Sequence, residues 1–300
     1  MDTPRDPSDT PADAEDPRTF GPYLLLKELG RGAQGVVYLA EDSTLHRKVA
    51  LKMLSNAAVQ SPAVRERFRR EATLTSKFEH PGICGVHDLG EVDGVPYIAM
   101  QYVRGTTLAT HVEKARAASP AGNETTRGSD AITITGSRGE GGLEDVLRLV
   151  ERAARALHVA HEAGLVHRDI KPANIMRVKG SRTIKVTDFG IAHMDNAAEA
   201  SLRTRAGDVL GTPQYMSPEQ AHGAKDLDAR SDVYSLGVVM YECLTGVSPF
   251  EGETLAAVLS RILMGDYVPL ARRAPEVEPA FAAIVERAMS KERDDRFASA

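Results

Sequence analysis

Between His167 and Gly190 the chain places two aspartates, a lysine and a side-chain amide, in His167-Arg168-Asp169-Ile170-Lys171-Pro172-Ala173-Asn174 and then Asp188-Phe189-Gly190. A carboxylate can take a proton, an ammonium can stabilise a moving anionic group, and carboxylate or amide oxygens suit hard divalent cations. The bland alternative for the same residues is a polar turn holding a buried Asp and Arg ion pair. Upstream, Gly30-Arg31-Gly32-Ala33-Gln34-Gly35-Val36, with Val37 after it, fits GxGxxGxV. Glycines at this spacing let backbone amides approach phosphate oxygens without Cβ clashes. A dinucleotide fold needs such a turn to lead from a strand into a helix, yet the residues after Gly35 are β-branched and aromatic, as a returning strand would be. An ordinary hairpin turn stays open as the alternative. Lys52 ends Val49-Ala50-Leu51-Lys52, where a lysine is more often a solvated edge residue than a ligand. Glu71, on the following helical stretch, raises it, because an ion pair to Glu71 can hold the ammonium against phosphates.

Taken in order, these motifs resemble those of Hanks-type protein kinases, in particular the bacterial serine/threonine members, and the resemblance runs from about Tyr23 to Ala300. It implies an α+β, bilobal protein-kinase-like fold, with a sheet-rich N-lobe, a helical C-lobe and ATP between them. It further implies transfer of the ATP γ-phosphate to Ser or Thr hydroxyls of protein substrates, with Mg2+ or Mn2+ neutralising the triphosphate. Asp169 is then the catalytic aspartate that accepts or orients the proton of the attacking hydroxyl, Lys171 stabilises the moving phosphoryl group, and Asn174 and Asp188 hold metal. Leu29, Gly30, Gly32, Gly35, Val37, Ala50, Lys52 and Glu71 are expected around the nucleotide. Met100-Gln101-Tyr102-Val103 is similar to the hinge that binds adenine through backbone groups, with Met100 as gatekeeper, so Met100, Gln101 and Val103 join that set. Gln101 stands where the family usually has Glu, and Gln34 departs from the small or aromatic residue usual at the loop tip.

Gly211-Thr212-Pro213-Gln214-Tyr215-Met216-Ser217-Pro218-Glu219 looks like the segment that receives the substrate, with Ser217 in place of the family's Ala. The resemblance puts Thr212 against Lys171 and the catalytic aspartate. It makes Asp232 the buried aspartate that ties the catalytic loop to a central helix, and Arg296 the partner of Glu219, all three in structural roles. Arg168 resembles the arginine that pairs with a phosphorylated residue on the activation segment. Thr204, flanked by Arg203 and Arg205, is the expected autophosphorylation site and Ser201 the secondary one. A phosphate adds about −1.5 to −2 charge and three strong acceptors, enough to order a loop against arginine. A dimer for trans-autophosphorylation is expected with it. Lys291 to Ala300 resembles the entry to the family's last helix, so the natural chain is expected to continue, with a membrane span and sensor beyond it.

A pseudokinase scaffold is the first rival, and the presence of Lys52, Glu71, Asp169, Asn174 and Asp188 argues against it. A small-molecule phosphotransferase is the second, and the long Asp188 to Glu219 segment favours a protein substrate instead. Lys171-Pro172 and Gly211-Thr212 match serine/threonine members better than tyrosine kinases.

The elements that must position these residues follow from periodicity. Tyr23 to Leu26, Val36 to Ala40 and Val49 to Leu54 read as strands, the first two a hairpin, and Ile83 to Leu89 and Pro96 to Tyr102 complete a small, mostly antiparallel sheet. Residues 62 to 78 read as a helix with Phe68, Glu71, Thr75 and Phe78 on one stripe. Helical spacing returns at Leu143 to Leu157, Val233 to Cys243 and Phe281 to Met289, making the second half mainly helical. Residues 1 to 19 read as a disordered acidic tail and residues 20 to 300 as the kinase domain. Its N-lobe is expected over 20 to 104, its C-lobe over 105 to 300, and a Ser, Thr and Gly-rich surface insertion over about 117 to 142.

With 42% hydrophobic and 26% charged residues the chain can bury a large core. Of its net charge of −5, about −4 falls in residues 1 to 20, which hold six acids and two bases. No long cationic block marks a nucleic-acid groove, so nucleic acid is not an expected partner. Cys84 and Cys243 are too few for a disulfide framework or a zinc site, which fits a reducing cytoplasm. No apolar run is long enough to span a bilayer and no secretory leader is evident, so no membrane contact is expected within this segment. His80, His87, His158 and His161 form no recognisable ligand set and are expected to be packing or surface residues.

Overall fold

The computed structural model describes residues 18–32, 35–118, 143–189 and 213–300, apart from the side chains of Arg67, Glu71, residues 115–118 and Leu143. Strands β1 (Thr19–Phe20), β2 (Tyr23–Gly32), β3 (Gly35–Asp42), β4 (Arg47–Leu54), β5 (Val86–Val92) and β6 (Val95–Gln101) form one antiparallel sheet in the order β1-β2-β3-β4-β6-β5. Helices α1 (Asn56–Val59) and α2 (Pro62–Thr75) follow β4. Ser61 caps α2, its Oγ accepting from the Val64 amide, and Pro62 takes the first turn, where its missing N–H costs nothing.

Strand alternation divides the sheet into two faces. Val49 and Leu51 join Tyr23, Ala40, Tyr97 and Ala99 in one cluster. Leu54, Ile98 and Met100 join Phe68 and Ala72 of α2 in the other, with Ala50 packed against them. Lys52 lies between Ala50 and Leu54 in register with Val37 and Ile98, which puts it on the α2 face of a central strand and not at an edge.

The second lobe is built from α3 (Leu108–Ala118), α4 (Leu143–Glu162), α5 (Pro218–Ala221), α6 (Ala229–Thr245), α7 (Leu255–Met264), α8 (Leu270–Arg273) and α9 (Pro279–Ala288). Helix α6 is buried from Ser231 to Thr245 and packs against α4 and α9. Asp228 caps its start and Gly246, at φ 73°, ends it in the left-handed conformation that glycine adopts without strain. A small antiparallel sheet joins β7 (Gly105–Thr107), which follows the large sheet in the chain, to β8 (Ile175–Val178) and β9 (Ile184–Val186), which follow α4. The arrangement is the expected α+β, bilobal one.

Four boundaries differ from the sequence reading. Of the expected tail, residues 1 to 17 lie outside the described residues, and Thr19 at its end belongs to the sheet, pairing with Leu24 beside Phe20, which packs edge-on against Tyr97 at 5.7 Å. The strand expected over Ile83 to Leu89 runs over Val86–Val92. Asp93 and Gly94 at φ 49° and 80° make the tight turn of the β5–β6 hairpin, and that turn sets the register. The helix expected to residue 78 ends at Thr75, and α3 extends to Ala118, past the expected start of the insertion at 117. The three short strands of the small sheet were not expected at all. Among the described residues no helix is long and apolar enough to cross a membrane.

Candidate active site

The loop before β8 gathers its functional groups around one carboxylate. Lys171 Nζ donates to Asp169 Oδ2 at 2.8 Å, and Asn174 Nδ2 donates to the same oxygen at 3.1 Å and to the Asp169 carbonyl at 2.8 Å. Pro172 starts a short 3-10 turn, Pro172–Asn174, that brings Asn174 back to Asp169. Asn174 in turn accepts from the Thr187 amide at 2.9 Å, which places Asp188 beside it. Lys52 Nζ, from the sheet, reaches Asp188 Oδ1 at 2.7 Å. Burial alone would raise the Asp188 carboxyl, but Lys52, with lesser help from Lys171, brings it below the usual carboxylate range. Asp188 is therefore ionised at neutral pH.

Asp188 and Arg168 both have positive φ, 56° and 67°, in residues other than glycine. Such conformations persist where the surroundings over-determine them. At Arg168 the cause is visible: its amide donates to Asp232 Oδ1 at 2.7 Å while its carbonyl accepts from Gln220 Nε2 at 2.7 Å. His167 is fully buried, packs against Phe189 with ring centroids 4.6 Å apart and planes tilted by 49°, accepts at Nδ1 from the Asp169 amide and places Nε2 2.9 Å from the Thr187 carbonyl. A carbonyl only accepts, so this imidazole is the neutral Nε2–H tautomer.

Beneath the loop, Asp232 in the first turn of α6 accepts the amides of His167 and Arg168 and Nε2 of His161 at 2.7, 2.7 and 2.8 Å. His161 is thus a buried partner of the loop's anchor, more than the packing or surface residue its sequence context suggested. Ser217 and Gln220 carry a role that their place in the motif does not announce. They form a capping box for α5, with the Ser217 amide 2.9 Å from Gln220 Oε1, and the same Gln220 side chain holds Arg168. The Ser-x-x-Gln spacing was the available signal. Glu219 receives Arg296 through two bonds of 2.8 and 3.0 Å and Ser231 at 2.6 Å.

The expected nucleotide residues separate into groups. Val37, Ala50, Lys52 and Met100 share the α2 face of the sheet by register. Leu29 is 44% exposed beside an irregularity in β2. A Cβ on Gly30 or Gly32 would meet nothing within 4 Å among the described residues, whereas one on Gly35 would lie 2.0 Å from the Met53 carbonyl oxygen. Gly35 thus serves strand packing, and only the other two glycines offer free backbone. Behind Met100 a small cavity is lined by Ala72, Thr75, Cys84, Ile98, Asp188 and Phe189. Burial, with Asp188 nearby, pushes the Cys84 thiol up to about 12, so it stays protonated. In the hinge, Gln101 donates its amide to the Gly85 carbonyl, and the Val103 backbone makes no hydrogen bond among the described residues. Glu71 lies on α2, with its side chain outside the described residues, as are Ser201, Thr204 and Thr212.

A family model for the protein kinase domain matches residues 23–300. The chain belongs to the protein kinase family. Among curated proteins, this kinase chain is 39% identical over 282 residues to the serine/threonine-protein kinase PknB of Mycolicibacterium smegmatis, covering 93% of this chain and 41% of that one. It is 39% identical over 292 residues to a probable serine/threonine-protein kinase of Streptomyces coelicolor, covering 95% and 39%. The chain thus spans about two fifths of the length of these relatives. Among solved structures, the kinase domain of Mycobacterium tuberculosis PknI superimposes with a TM-score of 0.68 at 29% identity, over 96% of this chain and 95% of that one.

Proposed function

We propose that this chain is an ATP-dependent serine/threonine protein kinase domain, acting by in-line transfer of the γ-phosphate to a protein hydroxyl. The observation that carries this is the convergence of Lys171 and Asn174 on Asp169, next to the Lys52–Asp188 pair. In this reading Asp169 Oδ2 is held in place by two donors, and the carboxylate orients and receives the proton of the attacking hydroxyl. Lys171, already at that carboxylate, faces the position where the moving phosphoryl charge develops. Asn174 and Asp188 supply oxygen ligands only, which suits a hard cation that takes the rest of its coordination from phosphates and water. That cation, Mg2+ or Mn2+, would neutralise the triphosphate charge. Lys52 would move part of its contact from Asp188 to phosphate oxygens, and the backbone of Gly30 and Gly32 would approach them from above. The unpaired Val103 backbone is the group best suited to adenine.

The names of the curated relatives support serine and threonine as acceptors. Autophosphorylation at Thr204, with Ser201 secondary, and contact of Thr212 with Lys171 belong to the same reading, supported by Arg203 and Arg205 in the sequence. So does a dimer for trans-autophosphorylation. The test is incubation of the purified chain with Mg-ATP and an unstructured acceptor protein, read by phosphosite mass spectrometry. Transfer no greater than that of Asp169→Asn would overturn the assignment.

A further inference from the structure

The catalytic reading leaves a second concavity of the molecule unused. Helices α3 and α4 and the β8–β9 hairpin border an open groove, and none of the residues lining it belongs to the proposed catalytic set. Its floor is apolar: Leu108, Val146 and Ile184 are buried, and Leu149 is half-buried between them. Its rim is cationic, with four arginines and His111 against the single carboxylate of Asp145. Arg148 is engaged by Glu144 on its own helix at 2.5 Å, and Arg152 donates to the Arg182 carbonyl, which fixes the hairpin turn against α4. Arg177 and Arg182 themselves pair with no carboxylate among the described residues. The local potential is felt by a neighbour, since burial first, then Arg177 and Lys114, hold His111 below its usual value.

An apolar floor under a cationic rim fits a ligand with both an apolar anchor and negative charge. None of the three longer segments of this chain outside the described residues offers both: residues 190 to 212 carry aliphatic side chains such as Leu202 and Leu210 but are nearly neutral, with three acids and two arginines. Residues 1 to 17 carry six acids against one arginine but, beyond Met1, no large apolar side chain. Residues 119 to 142 carry Ile132 and Ile134 but are nearly neutral, with three acids and two arginines. We propose that the groove docks an acidic peptide segment of a partner protein, which seats an aliphatic side chain on Leu149 and sets its carboxylates against Arg177 and Arg182. Docking there places the partner on the helical lobe without occupying the nucleotide cleft.

Binding is read without turnover, so its outcome is independent of the kinase assignment. The probe is a fluorescein-labelled peptide of Asp and Glu around a central Leu, titrated with the whole chain by fluorescence anisotropy at low salt. Saturable binding is expected, weakened about tenfold or more when Arg177→Glu and Arg182→Glu are combined, and weakened by added salt. Leu149→Ser should weaken it without changing the salt dependence, which separates the anchor from the charges. Arg177→Gln with Arg182→Gln is the milder pair, to be used if the charge reversal fails to fold. Absence of saturable binding, or equal binding by the substituted chains, would overturn the proposal. Binding that emerges only after removal of residues 1 to 17 would also overturn it, assigning the groove to the chain's own acidic segment.

Discussion

Gln220 Nε2 donates to the Arg168 carbonyl at 2.7 Å, while Gln220 Oε1 accepts the Ser217 amide at 2.9 Å. One side-chain amide therefore caps α5 and fixes the residue preceding Asp169. The two ends can be separated by mutation. Gln220→Glu keeps the acceptor for Ser217 and loses the donor to Arg168, whereas Gln220→Ala loses both. The alanine variant should lose about 1 kcal/mol of stability, the usual worth of a cap. Both should lower kcat more than they raise KM for a peptide acceptor, with the glutamate variant closer to wild type in melting temperature. A kcat for Gln220→Glu equal to wild type would detach this bond from catalysis.

Asp169→Asn and Lys52→Met test the centre itself. Each removes a group proposed to act in the transition state and neither lies in a hydrophobic cluster. Turnover should fall by roughly 10²-fold or more, with melting temperatures near wild type. Retained turnover in either variant, in protein free of other kinases, would be incompatible with the proposed roles.

The Glu219–Arg296 pair is buried, with side-chain exposures of 6% and 0%. Removing one partner leaves an uncompensated charge, so Arg296→Ala should cost about 3–5 kcal/mol. The pair also predicts acid sensitivity. Burial would raise the Glu219 carboxyl, yet the bonds from Arg296 and Ser231 bring it below its usual value. Its folded value lies under its unfolded value of about 4.3. Its contribution is thus fully present above that pH and is lost as pH falls through the folded value. Denaturation from pH 7 downwards should show a shallower acid limb in Glu219→Gln, and identical limbs would show that this carboxylate is not the sensitive group.

The glycines make a paired prediction. Gly35→Ala forces a Cβ onto the Met53 carbonyl and should cost roughly 3 kcal/mol, lowering the melting temperature of the whole chain. Gly30→Ala meets nothing among the described residues and should change stability by no more than about 0.5 kcal/mol, while raising KM for ATP. Calorimetry and ATP titration separate the two effects, and equal destabilisation would remove the distinction drawn between them.

Much of this was legible in the chain alone. The strand alternation around Lys52, the helical stripe of Phe68 and the spacing of Asp169, Lys171, Asn174 and Asp188 are local patterns, and local patterns carry the α+β class and the identity of the central groups. Short-range signals did not reveal the small sheet, because strands such as Ile184–Val186 are too short to show a period. Nor did they show that Gly35 packs while Gly30 and Gly32 stay open, which depends on the neighbouring strand's carbonyl. His161 meeting Asp232, Gln220 meeting Arg168 and Arg177 and Arg182 collecting beside Leu149 are contacts between segments far apart in sequence. A residue type states which bonds a side chain can make; which partner it finds is decided when packing of α4, α6 and the two sheets excludes water and leaves each buried polar group only the neighbours within reach.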